Sequence, residues 1–144
     1  MKKIVFVCLG NICRSPMAEF VMKELDQEKS LHIESRATSS WEHGNSVHQG
    51  TQKILREYAI SFDSSKGSQQ ISQADFEFFD LVVGMDESNV EDLLQISAGR
   101  YDDKIKLFRP GGVPDPWYTG DFEETYKLVT AGCRDWLQWI KDRQ

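Results

Sequence analysis

The sequence predicts an α/β fold in which a parallel sheet is covered by helices on both faces. Three observations lead there. Ile4-Val5-Phe6-Val7 and Leu81-Val82-Val83-Gly84-Met85 are almost unbroken apolar runs, as expected of strands buried on both faces. Stretches with helical spacing alternate with such runs along the chain. The 144 residues contain no repeat, low-complexity tract or linker, and suit one domain over 1–144.

The elements follow in order. After the first strand, Ser15 is a good N-cap with Pro16 at the first helical position. Met17, Phe20, Val21 and Leu25 then fall on one side and Glu19, Lys23 and Glu24 on the other. Residues 32–38 read as a weaker second strand. Ser39 to Gly50 is a polar loop, and Val47, Thr51, Ile54, Leu55 and Tyr58 space out a second helix. Residues 61–74 read as an exposed connection, and Phe76 to Phe79 leads into the third strand. Asp86 or Ser88 caps a short helix through Val90, Leu93 and Leu94, with Glu91 completing a capping-box pattern after Ser88. Residues 104–108 alternate like an edge strand. Arg109 to Gly120 holds three prolines and three glycines and reads as loop. The last helix shows Phe122, Tyr126, Val129, Cys133, Trp136, Leu137 and Ile140 along one face.

Composition narrows the chemistry. A hydrophobic content of 40% with 11% aromatic residues belongs to a folded protein. The net charge of −6 argues against nucleic acid as a partner, yet allows one small anion in a locally positive pocket. Cys8, Cys13 and Cys133 make an odd count without a disulfide framework, which suits a reducing compartment. Lys2-Lys3 before the apolar run resembles a signal peptide only faintly, because Asn11 and Arg14 break the run and no cleavage site follows. The expectation is a cytoplasmic protein without a membrane span, with secretion that needs no signal peptide left open. His32, His43 and His48 lack metal-ligand spacing, and His48 is expected to face solvent on its helix. No metal or cofactor is expected.

The most informative stretch is Cys8-Leu9-Gly10-Asn11-Ile12-Cys13-Arg14-Ser15, between the first strand and the first helix. Five residues between Cys8 and Arg14 allow a curl whose backbone N–H groups converge on one anion, with the helix N-terminus behind it. Gly10 and Asn11 tolerate the left-handed backbone that such a curl needs. The planar fork of Arg14 matches two oxygens of a tetrahedral dianion. Near Arg and a helix N-terminus, cysteine pKa values drop to roughly 3.5–7.5, so Cys8 is expected to be a ready nucleophile. Ser15 is placed to steady it. The nucleotide-binding patterns Gly-x4-Gly-Lys-Ser/Thr and Gly-x-Gly-x-x-Gly are both missing. Asp115, between Pro114 and Pro116, is the candidate acid for protonating a leaving group, and Trp41 and Trp117 stand in two polar loops where rings of that size are unusual.

The run from Val7 through Cys8 and Arg14 to Ser15-Pro16-Met17-Ala18-Glu19 resembles the opening of the low-molecular-weight protein tyrosine phosphatases. That resemblance implies a three-layer, flavodoxin-like domain with a four-stranded parallel sheet in the order 2-1-3-4. It implies a metal-free hydrolase acting on phosphotyrosine-containing proteins, with inorganic phosphate as product. It assigns catalysis to Cys8, Arg14 and Asp115. Leu9, Gly10, Asn11, Ile12, Cys13 and Ser15 line the phosphate loop, and Trp41 and Trp117 form a slot for a phenyl ring. Asn11 and Ser35 hold the loop in shape. Tyr118 is similar to a tyrosine that can itself be phosphorylated in relatives. Independently of the resemblance, Cys13 shares a loop with Cys8, which leaves two readings: a reversible disulfide with the nucleophile, or a packed spectator thiol. Such a protein is expected to be a monomer or weak dimer. A subfamily that acts on phosphoarginine carries Thr where this chain has the bulkier Ile12, which favours an aryl substrate. The chain departs from the family in having no His within 63–66, so that support must be rebuilt or absent, and in reading Ser35-Arg36-Ala37-Thr38 after the second strand. Arsenate reduction on the same fold needs a downstream cysteine pair, and only Cys133 lies downstream. A binding module without turnover would not need Cys8, Arg14 and Asp115 together.

Overall fold

The structure is a computed structural model and describes residues 2–143. Its strands are β1 (Lys2–Cys8), β2 (Leu31–Ala37), β3 (Leu81–Gly84) and β4 (Ile105–Leu107). Its helices are α1 (Arg14–Leu25), α2 (Gln49–Glu57), α3 (Gln73–Phe78), α4 (Glu87–Ile96), α5 (Pro116–Thr119) and α6 (Phe122–Asp142). The strands form one parallel sheet in the order β2-β1-β3-β4, the flavodoxin-like arrangement expected. Among the described residues no helix is long and apolar enough to cross a membrane.

The pleat divides the core in two. Ile4, Phe6, Leu81 and Val83 pack with Met17 and Val21 of α1, Leu55 of α2 and Val129, Cys133 and Ile140 of α6. Val5, Val7, Val82 and Ile105 pack on the other face with Phe76 of α3, Phe79 and Leu93 of α4. Phe6 meets Phe108 edge to face, with ring centroids 5.9 Å apart. Burial on both faces explains why the central strands read as continuous apolar sequence.

From β1 the chain first builds β2 on one side and then crosses to β3 on the other. The loops leaving β1 and β3 therefore part above the sheet and leave a crevice at the carboxyl ends of the strands.

Several local expectations are corrected. Helix α1 starts at Arg14, not after Ser15; Cys13 occupies the cap position without a side-chain cap bond. Pro16 is thus the third helical residue, where its missing N–H still costs no intrahelical bond. The stretch 61–74 is not wholly exposed: Ser68 and Ile71 are buried, and Ser72 forms a reciprocal capping box with Asp75 of α3. Asp86 rather than Ser88 caps α4, with Asn89 as the reciprocal partner instead of Glu91. Within Arg109 to Gly120, Asp115 caps the four-residue α5. His48 does not face solvent on a helix. It caps α2, stacks on Phe122 at 5.1 Å and meets the edge of Trp117 at 5.6 Å.

Candidate active site

The loop after β1 is shaped by what its carbonyls bind. The Cys8 carbonyl accepts from Thr38 N, Leu9 from Ser39 N and Oγ, Gly10 from Ser68 Oγ, Ile12 from His48 N, and Cys13 from Thr51 Oγ1. A trans peptide is planar, so each N–H points opposite the preceding carbonyl. Carbonyls tied back to the surrounding loops therefore turn the following N–H groups toward the centre of the curl. Asn11 N lies 3.3 Å from Cys8 Sγ, and Asn11 adopts φ 56°, the left-handed region expected at this turn.

Cys8 is buried at the end of β1, its sulfur 3.0 Å from Ser15 Oγ. The direction of the supporting bonds follows from Asn11. Gln69 N donates to Asn11 Oδ1, which fixes the amide so that Nδ2 donates to Ser15 Oγ at 2.9 Å and Ser35 Oγ at 3.0 Å. With an acceptor site so occupied, the Ser15 hydroxyl hydrogen has two acceptors in reach, Cys8 Sγ at 3.0 Å and the Arg36 carbonyl at 3.4 Å, and the sulfur is the nearer. The Ser35 hydroxyl donates to Glu19 Oε1 at 2.6 Å. Glu19, expected on the outer face of its helix, is only 5% exposed and pairs with Lys23 at 2.6 Å and Lys66 at 3.6 Å. Lys66 Nζ also donates to the Ser35 carbonyl at 3.3 Å. Lys66, in the stretch 63–66 that lacks a histidine, is thus tied to both Ser35 and Glu19. Burial lowers the Lys66 pKa, and Glu19 works against that shift.

Arg14 is 2% exposed, and each nitrogen has a different environment. Nη1 donates to Asp86 Oδ2 at 2.6 Å and to the Val113 carbonyl at 2.9 Å. Nη2 lies 3.4 Å from Asp115 Oδ2. Nε is buried and has no acceptor among the described residues. Burial opposes the charge, but Cys8, Asp86 and Asp115 outweigh it and hold the pKa above the ordinary arginine value. Asp115 Oδ1 accepts from Trp117 N at 3.0 Å, so the cap of α5 fixes the carboxylate that faces Arg14.

These groups line a cleft enclosing about 590 Å³, open mouth included. Cys8, Leu9, Gly10, Ile12, Cys13 and Arg14 form the floor, with Asp115, Trp41, Glu42, Trp117 and Tyr118 above. Trp41 and Tyr118 are each 78% exposed, while Trp117 is braced by His48. Asn11, Ser15 and Ser35 stand behind the floor. Cys13 and Cys8 are both free thiols. Burial, then the proximity of Cys8 and Asp115, raises the Cys13 pKa far above its ordinary value, so Cys13 stays protonated. Cys133 is buried in the core, as expected. Among the described residues no three His, Cys, Asp or Glu side chains are grouped to hold a metal.

Sequence reasoning missed Asp86, Glu19, Glu42 and Lys66. Asp86 was legible only as a helix cap, which it also is. Ser39, His48 and Ser68 in loops and Thr51 in the first turn of α2 give no sign in the sequence that they tie down a distant carbonyl.

A family model described as low molecular weight phosphotyrosine protein phosphatase matches residues 3–144. The Bacillus subtilis (strain 168) low molecular weight protein-tyrosine-phosphatase YfkJ is 40% identical, over 100% of this chain and 99% of that protein. The Staphylococcus aureus (strain Newman) low molecular weight protein-tyrosine-phosphatase PtpA is 38% identical, over 97% and 94% respectively. Among solved structures, the crystal structure of SP-PTP, the low molecular weight protein tyrosine phosphatase from Streptococcus pyogenes, superposes with a TM-score of 0.96 at 61% identity, covering 97% of this chain and 93% of that one.

Proposed function

The chain belongs to the low molecular weight phosphotyrosine protein phosphatase family, and from that membership we propose that it hydrolyses phosphotyrosine and small aryl phosphates through a phosphocysteine on Cys8. The observation that carries this reading is convergence: Cys8, Arg14 and Asp115 line one cleft, with Asn11 N directed at the Cys8 sulfur.

The phosphoryl group sits in the curl, where the N–H groups and the free Nε edge of Arg14 take its non-bridging oxygens. The Cys8 thiolate attacks phosphorus. As the P–O bond to the phenol breaks, Asp115 gives its proton to the leaving oxygen. In the second step Asp115 takes a proton from water, the water oxygen attacks phosphorus, and the S–P bond breaks. Inorganic phosphate leaves, and the returning thiolate accepts the Ser15 hydroxyl bond. Ile12, with Trp41 and Trp117, suits a flat ring more than a guanidino group. Free buried thiols fit a cytoplasmic setting.

The test is hydrolysis of phenyl phosphate, phosphotyrosine peptide and phosphoarginine, assayed in EDTA. The aryl phosphates should turn over and phosphoarginine should lag. Cys8→Ser should abolish turnover while keeping phosphate binding. Asp115→Asn should slow aryl phosphate hydrolysis by about 10²–10⁴-fold. Full activity in Asp115→Asn would mean another group is the acid.

A further inference from the structure

A carboxylate at the rim of an anion site repels the ligand that the site is built to hold, unless it meets a cation. Glu42 is such a carboxylate. It lines the cleft beside Trp41, and its side chain lies across the phosphate loop, so close that a Cβ added to Gly10 would meet Glu42 Cγ at 3.3 Å.

Its position is also fixed. Asn45 Nδ2 donates to Glu42 Oε2 at 2.5 Å, and Asn45 N donates to the Glu42 carbonyl at 2.8 Å. The same turn is tied to the segment behind the phosphate loop, because Gly44 N donates to the Ser68 carbonyl and Ser68 N to the Asn45 carbonyl. Ser68 in turn holds the Gly10 carbonyl through its hydroxyl. The second oxygen, Oε1, has no hydrogen bond and Glu42 no ion pair among the described residues. The cationic side chain of the cleft is Arg14, already engaged with Asp86 and Asp115. Glu42 therefore holds a carboxylate oxygen at the rim that is open to solvent and to a cation on a bound substrate.

We propose that Glu42 is a specificity-determining residue that selects phosphotyrosine sites carrying a lysine or arginine beside the phosphotyrosine. The proposal rests on the phosphatase reading of the same cleft. With the phenyl ring between Trp41 and Trp117, the peptide backbone emerges at the rim where Glu42 stands. A flanking lysine or arginine places its cation on Oε1, whereas a flanking Asp or Glu adds repulsion to a cleft already lined by two carboxylates.

The test compares two phosphotyrosine peptides, one with lysine and one with glutamate on both sides of the phosphotyrosine. At low salt the lysine peptide should have a kcat/KM about three- to tenfold higher, and the ratio should shrink toward one at 0.5 M salt. Glu42→Gln keeps an oxygen for Asn45 but removes the charge, and should bring the ratio near one. Glu42→Lys should invert it. Each rate is divided by the same variant's kcat/KM on phenyl phosphate, so that damage to the chemistry cancels. Equal rates for the two peptides in the unmodified chain, or a ratio that survives Glu42→Gln, overturn the proposal. Binding of both peptides to Cys8→Ser, followed by fluorescence anisotropy, makes the same comparison without turnover. Charge preference in binding with no hydrolysis by the unmodified chain would overturn the phosphatase reading and support the role of Glu42.

Discussion

Arg14 commits only part of its guanidinium to the protein. Two protein acceptors take Nη1, Asp115 approaches Nη2, and Nε is kept clear of protein acceptors among the described residues. Its planar fork makes this division possible, which a lysine could not reproduce. Asp86→Ala leaves Nη1 with the Val113 carbonyl alone, so the fork should swing away from the phosphate position. The expected loss in kcat/KM for aryl phosphate is about 10–100-fold, the scale of a misplacement near 1 Å. Inhibition by inorganic phosphate should weaken in parallel, which steady-state kinetics will show. Cys8 and Arg14 were legible in the sequence because one short loop carries both at fixed spacing. Asp115 stood out through its flanking prolines. Asp86 is 72 residues from Arg14, and Lys66 is 47 residues from Glu19, so only the folded sheet brings these pairs together. Arg36, another departure, is buried against Asp75 and Glu34, and its carbonyl lies 3.4 Å from the Ser15 hydroxyl.

Among the elements, apolar runs and helical spacing gave reliable signals wherever burial on a face dictates the pattern. That covers β1, β3 and α6; in α1 the helix was legible but its faces were not, because Arg14 to Met22 are all buried, Glu19 included. The reading failed where a local polar bond decides the outcome. Helix α3 depends on the Ser72–Asp75 capping box, which starts it inside the loop-like stretch 61–74 and carries it through Phe76–Phe78, read from sequence as a lead into β3; α5 depends on Asp115, inside a stretch that looks like loop by composition. Close approach is equally invisible in sequence. Gly132 faces Phe108, and a Cβ there would meet the ring at 2.2 Å. Alanine normally helps a helix interior by about 1 kcal/mol. Here overpacking against a buried ring should win, and Gly132→Ala should destabilise the protein by about 1–3 kcal/mol in urea unfolding. An unchanged or raised midpoint would show that Phe108 turns aside without cost.

For the whole molecule, the parallel sheet order sets where chemistry can be placed. The end of β1 and the loop after β4 bring Cys8 and Asp115 to one crevice, the loop after β2 delivers Glu42, and the loop after β3 sets Asp86 against Arg14. Most of the core below comes from the strands and helices, with Val47, Met85, Phe108 and Val113 of those loops closing its upper end, and the alternation of elements made the fold class readable before any site was known. The uncapped start of α1 has a consequence for this assembly. Most helices recruit a side chain from their own sequence to finish the first turn, and α1 offers neither a cap bond nor an acidic residue there. In the function proposed above, a dianion held in the loop finishes that turn from outside the chain. Substrate and product then act as detachable parts of the architecture, and the same contacts that position a phosphoryl group brace the central strand to its helix. Inorganic phosphate at 100 times its Kd should accordingly stabilise the native state by about 2.7 kcal/mol. A melting curve should rise with phosphate in Cys8→Ser and stay level in Arg14→Ala. In a cell whose free phosphate changes, the lifetime of this protein against proteolysis would follow the concentration of its own product.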